Sequence, residues 1–89
     1  MEINGFKLTE HAIKEIATRR IPLEFLARVL EAPEQIVPVR RGRSAYQSRM
    51  QFPSGGTYLV RVIVEMSDVP PSVRTVYRTS KMEKYWRQE

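Results

Sequence analysis

The sequence predicts an α+β fold: an N-terminal helical hairpin packed on one face of a four-stranded antiparallel sheet, followed by a short C-terminal helix. Three observations carry this expectation. Apolar residues recur at helical spacing as far as residue 31. Beyond residue 34 they recur with period 2. Clusters of Gly, Pro and Ser cut that second stretch into strand-length runs. With 89 residues the chain supports one domain around one two-layer core, so a functional site has to be a shallow surface groove.

Thr9 is a good N-cap, and Ala12, Ile13, Ile16 and Ala17 form an apolar stripe that predicts a first helix over residues 9–19. Pro22 suits the first turn of a second helix, whose apolar face is Leu23, Leu26, Val29 and Leu30. Ala32-Pro33 ends it near residue 31. The link between the two is very short, which predicts the hairpin. Residues 35–39 read as a short strand that Pro38 places at a sheet edge. Residues 44–52 alternate, with Tyr46, Met50 and Phe52 on one parity and Gln47, Arg49 and Gln51 on the other. Pro53-Ser54-Gly55-Gly56 is a hairpin turn. Residues 57–66, almost all apolar and β-branched, make the central strand. If Val60, Val62 and Val64 face the helices, Arg61 points to the uncovered face. Residues 67–72, with Pro70-Pro71, are a loop; residues 73–79 are the last strand, and residues 82–87 a helical tail.

Composition narrows the function classes. The chain has no cysteine, which excludes disulfides, thiolate catalysis and Cys-ligated zinc. One histidine and scattered carboxylates give no metal-site pattern, and no cofactor is expected. The longest near-apolar run, residues 58–64, is interrupted by Arg61 and far too short to span a bilayer. The N-terminal stretch lacks a basic-then-apolar signal, so a cytoplasmic protein is the expectation. Net charge is +5, unevenly placed: residues 39–89 hold ten Lys or Arg against four Asp or Glu, while residues 1–38 hold five against six. Eleven of the fifteen cations are Arg, whose planar fork fits phosphate and stacks on bases. A polyanionic partner, RNA first, follows from that balance.

Three segments together carry a family resemblance. They are His11-Ala12 followed by Arg20-Ile21; Ala32-Pro33-Glu34; and Val73-Arg74-Thr75-Val76-Tyr77-Arg78-Thr79-Ser80-Lys81 leading into Lys84-Tyr85-Trp86. In order and spacing the chain resembles the domain of unknown function 4258 family. It is similar, more distantly, to RelE-type and ParE-type toxins of the small metal-independent ribonuclease superfamily. The resemblance implies a RelE-like two-helix, four-strand domain. It also implies a toxin held in check by an antitoxin protein, cleaving RNA by attack of the ribose 2′-hydroxyl. Some branches of that superfamily instead block a topoisomerase, so a non-catalytic protein- or nucleic-acid-binding module is the alternative.

Metal-free cleavage needs a base for the 2′-hydroxyl, an acid for the departing 5′-oxygen and cations for the transition-state charge. His11, the single histidine, is the candidate base or acid; the competing reading is a bond to Glu15 one turn on. Arg61 and Arg78 are the candidate phosphate clamps. The competing readings are that Arg61 pairs with Glu65 of its own parity and that Arg78 is an edge-strand charge. Tyr77 is a candidate proton donor or base-stacking ring, or a core aromatic. Tyr77 and Arg78 alternate, so only one of them faces a given side. If Val76 packs beneath the helices, Thr75, Tyr77 and Thr79 join Arg61. Arg40, Arg41 and Arg43 around Gly42, extended by Arg49, Lys81 and Lys84, are the candidate RNA-backbone contacts. Arg20 either caps carbonyls or bonds across the sheet edge. The Lys84-Tyr85-Trp86 tail either packs on the helices or stacks on bases.

Overall fold

The computed structural model describes residues 1–88. In chain order it contains β1 (Glu2–Ile3), β2 (Phe6–Leu8), α1 (Glu10–Thr18), α2 (Leu23–Glu31), β3 (Gln35–Arg40), β4 (Arg43–Gln51), β5 (Thr57–Glu65), β6 (Ser72–Thr79) and α3 (Met82–Tyr85). All six strands join one sheet in the order β1-β2-β6-β5-β4-β3. Every neighbouring pair is antiparallel except β2 and β6, which are parallel.

The expected fold class is therefore corrected. The helices do not form an N-terminal hairpin on a four-stranded antiparallel sheet. Two strands precede them, the sheet is six-stranded and mixed, and strand outweighs helix. The helices are only nine residues each, and they pack on different strands: α1 on β6, α2 on β4 and β5. The extra strands come from Asn4-Gly5, both at positive φ (52° and 84°), a two-residue reversal of the kind that joins tight hairpins. Asn4 also donates its side-chain amide to the Ala27 carbonyl of α2 at 2.8 Å, which ties the N-terminal hairpin to the helical layer.

α1 begins as its sequence dictates. Thr9 Oγ1 accepts from the Ala12 amide at 3.1 Å and donates to the Val73 carbonyl at 3.0 Å, so one hydroxyl caps the helix and joins it to β6. At the other end Arg20 takes the left-handed conformation (φ 52°). The Ile21 amide reaches the Ile16 carbonyl and the Arg20 amide the Ala17 carbonyl, the paired bonds of a Schellman end. Arg20 thus acts through its backbone, and Arg19 makes the cross-sheet contact instead, donating Nη1 to the Val76 carbonyl at 2.7 Å.

The core lies between the helices and one face of the sheet. Leu26, Val29, Val60, Val62, Val64, Val73 and Val76 are fully buried there, joined by Tyr46, Met50 and Phe52. A bulge between Ile63 and Val64 leaves Arg74 without a cross-strand partner, so Val73 and Val76 both face inward although they are three residues apart. Beyond the short β2, α1 closes the outer edge of β6. Glu15 Oε1 accepts the Val76 amide at 3.0 Å while Arg19 takes its carbonyl. No helix among the described residues is long and apolar enough to cross a membrane.

Removing the Glu15 carboxylate strands a buried strand N–H, which costs about 1–3 kcal/mol. Glu15→Ala is expected to lose about that much in urea unfolding, and Glu15→Gln, which keeps an acceptor, clearly less. Equal losses would trace the effect to charge and not to the strand edge.

Candidate functional site

The sheet face opposite α1 and α2 gathers four of the ten candidate residues: Arg43, Arg49, Arg61 and Tyr77. Register places Arg61 between Gln47 on β4 and Tyr77 on β6, with Arg43, Arg49, Thr75 and Thr79 on the same face. Arg61 is 7% exposed and Gln47 is fully buried, an unusual polar pair at the centre of a sheet. Arg61 donates Nε to Gln47 Oε1 at 2.9 Å and Nη1 to the Tyr77 hydroxyl at 2.6 Å. Its guanidinium also lies 4.3 Å from the Tyr85 ring centroid. Among the described residues no carboxylate pairs with it. Glu65, the expected partner, takes Arg43 instead, at 3.0 Å.

This face is not the open trough that the sequence suggests. Ala45, Leu59 and Ile63 are buried on it, and the tail lies across it. Gln47 donates Nε2 to the Tyr85 carbonyl at 3.2 Å and to Gln35 Oε1 at 2.8 Å. Gln35 in turn donates to the Arg87 carbonyl and accepts the Arg87 amide. Trp86 covers Arg49, with its ring centroid 4.2 Å from the guanidinium carbon. Thus Tyr85 and Trp86 neither reach the helices nor close the main core; they stack on two arginines of the opposite face.

Arg49 is clamped in its own plane by Glu34. Its Nε and Nη2 donate to the two carboxylate oxygens at 3.1 and 2.9 Å, and its backbone amide adds a third bond at 2.7 Å. These bonds hold the Glu34 carboxyl below its ordinary value. Glu65 is lowered too, first by the Ser67 hydroxyl and then by Arg43. Burial pushes the Tyr77 phenol above its ordinary value, against the pull of Arg61. Tyr77 is then a neutral hydrogen-bond acceptor for Arg61 at physiological pH, with its own proton still in place.

The four catalytic candidates are not assembled. Arg61 and Tyr77 meet. Arg78 lies on the helix-side face opposite Val60, stacked 4.4 Å from the Phe52 centroid and 4.9 Å from that of Tyr58. His11 sits 68% exposed in the first turn of α1, 3.2 Å from Glu15, which is the competing reading of that residue. It shares a groove of about 300 Å³ with Thr9, Arg43, Arg74 and Thr75. Arg74 did not stand out in the sequence because its strand parity puts it with Arg78; only the bulge frees it.

Of the backbone-contact candidates, Arg40 and Arg41 are exposed in the β3–β4 turn. Gly42 is required there: φ is +75°, and a Cβ would stand 2.6 Å from Glu65 Oε2. Lys81 and Lys84 flank the tail, with Lys84 Nζ 5.3 Å from the Tyr85 centroid. Gln35 and Gln47 are the members that sequence reading missed. The available signal was Gln47 alternating on the same parity as Arg49. An apolar groove of about 460 Å³ along α1 and the start of α2 carries none of these residues except Arg20. No three His, Asp or Glu side chains among the described residues cluster in a way that could hold a metal ion.

Two pH limbs follow. The folded Glu34 carboxyl binds protons less tightly than the unfolded one, so its contribution is present above about pH 4.5 and is lost as the pH falls below that. The folded Tyr77 phenol holds its proton more tightly, so stability falls as the pH rises beyond about 10. Thermal melts across pH are expected to show both limbs, Glu34→Gln flattening the acid one and Tyr77→Phe the alkaline one. Unchanged limbs in the variants would place the titrations elsewhere.

Comparison of the chain with family models, with curated proteins and with solved structures returned no match.

Proposed function

We propose that the chain is a non-catalytic RNA-binding module that engages single-stranded RNA with the sheet face opposite α1 and α2. The observation that carries this reading is the convergence of Arg43, Arg49 and Arg61 on that face, with Arg74 at its margin and the exposed Arg40 and Arg41 at its end. Arginine supplies both phosphate forks and flat stacking surfaces. Binding needs no proton transfer, which suits a face where Arg61 and Tyr77 are engaged with each other and Arg78 points the other way.

A second reading, metal-independent RNA cleavage by a toxin under antitoxin control in the cytoplasm, is favoured by one observation. His11 shares its groove with two guanidinium groups and two hydroxyls. There His11 would take or give the proton while Arg43 and Arg74 met the phosphate charge, and Arg61, Tyr77 and Arg78 would have no part in the chemistry. The antitoxin and the cellular location rest on the family resemblance alone.

Labelled single-stranded RNA incubated with the purified chain in EDTA separates the two. Binding without cleavage is expected, with affinity falling steeply between about 50 and 200 mM salt, by roughly 0.7 log–log units per phosphate contacted. Arg40→Ala/Arg41→Ala should weaken binding to all sequences and reduce that slope by about one unit. Salt-independent binding would sink the module reading. Fragments ending in 2′,3′-cyclic phosphate, abolished in His11→Ala, would establish the second.

A further inference from the structure

We infer that Tyr85 and Trp86 occupy a stacking site for two adjacent bases of single-stranded RNA, built on the guanidinium faces of Arg61 and Arg49, and that residues 81–88 leave the sheet when RNA binds. The inference rests on the RNA-binding reading and deepens it.

Both guanidinium groups are held edge-on. Glu34 takes the fork of Arg49 through two bonds, and Gln47 and Tyr77 take Nε and Nη1 of Arg61. With two donors of each engaged in plane, what each group has left to offer is its flat face and its remaining Nη. A flat face of a guanidinium is matched by an aromatic ring, whether of a side chain or of a base. Each is covered here by one ring, at 4.2 and 4.3 Å, and the two rings are consecutive in the chain. The platforms are near neighbours: Arg61 pairs with Gln47, two residues along β4 from Arg49, so the arginines are diagonal on one face. Two successive rings on two diagonal platforms is the arrangement that two stacked bases of an extended strand require.

The cover is also weakly attached. α3 is four residues long and buries no side chain, and both Tyr85 and Trp86 are only half-buried. Apart from the two stacks and an edge contact of the Tyr85 ring with Tyr77 (centroids 6.1 Å apart), the tail is held by side-chain amides of Gln35 and Gln47 bonded to the backbone of Tyr85 and Arg87. Those amides donate to carbonyl oxygens and accept an N–H, groups that base edges also carry. An incoming strand therefore replaces the tail's contacts in kind. It also brings a phosphate to a buried Arg61 that has no carboxylate partner among the described residues.

Trp86 is the single tryptophan, so its fluorescence reports the tail directly. The probe is an oligouridine on the order of eight nucleotides, a length within single-strand site sizes. Saturating the full chain with it should make Trp86 more accessible to acrylamide quenching. Tyr85→Ala/Trp86→Ala should bind the oligomer at least about fivefold more tightly, and Trp86→Phe, which keeps a ring on Arg49, should bind like the parent. Thermal melts confirm that each variant is folded. Unchanged or reduced quenching, or weaker binding by the double variant, would overturn the inference and make the tail rings themselves the platform for bases. Absence of binding by both the parent and the double variant would instead remove the RNA reading on which it rests.

Discussion

A cation at the centre of a β-sheet has to be provided for, and much of the face opposite the helices is organised around Arg61. Removing a guanidinium from water costs several kcal/mol unless its donors are met and its charge is stabilised. No acid meets it here among the described residues; an amide oxygen, a phenol and an aromatic face do so together. That choice determines the neighbours. Gln47 must be buried to reach Arg61 Nε, and its own amide then needs acceptors, which Gln35 and the Tyr85 carbonyl supply. Burial keeps the Tyr77 phenol neutral, so it gives Arg61 an oxygen lone pair and no countercharge. The tail completes the arrangement by laying the Tyr85 ring over the guanidinium, closer than the ring of Tyr77.

The other side of the same problem is the edge of β6. A strand edge offers unpaired N–H and C=O groups that invite another chain. Here β2 covers only the first part, and the i, i+4 row Glu15–Arg19 of α1 takes over with side chains, meeting both polar groups of Val76. His11 is the next member of that row, one turn earlier, so the imidazole is carried to the sheet margin by the requirement to close an edge. Its company there, Arg43 and Arg74, comes from Glu65 and from the bulge. The groove is thus a by-product of edge closure, which weighs toward a module without chemistry.

How much of this was legible in the sequence depends on the range of the interaction. Local signals read well: the Thr9 cap, the Pro22 start, the Ala32-Pro33 stop and the period-2 runs place every helix and strand after residue 9 within a residue or two. Asn4-Gly5 is an equally local signal, flanked by Ile3 and Phe6, but strands of two and three residues leave too short an alternation to mark them as strands. Its consequence, a parallel β2–β6 pair bridging more than sixty residues of chain, has no local trace. The bulge at Arg74 is similar. Strict alternation puts Val73 and Val76 on opposite faces, and burial of both overrides it. The side chosen by the tail was beyond reach, because aromatic residues next to cations fit either face; it follows from the unmet charge of Arg61, which only the assembled sheet reveals.

If the face binds RNA as proposed, the same arrangement would make an arginine-rich surface selective for a flexible polyanion. Arg43, Arg49 and Arg74 each carry a carboxylate partner at or near the surface, where water and salt weaken such pairs. A phosphate can compete for those cations at small cost, and the displaced carboxylates return to water. Arg61 differs because its substitutes are a ring and two neutral oxygens, none of which balances its charge. A ligand that supplies both a ring and an anion satisfies it better than the tail does, and a nucleotide is such a ligand. A folded acidic protein surface offers carboxylates without rings, and a duplex hides its rings in the stack. On the proposed RNA-binding reading, the chemistry left unsatisfied at one buried guanidinium would discriminate in favour of unpaired, single-stranded nucleic acid.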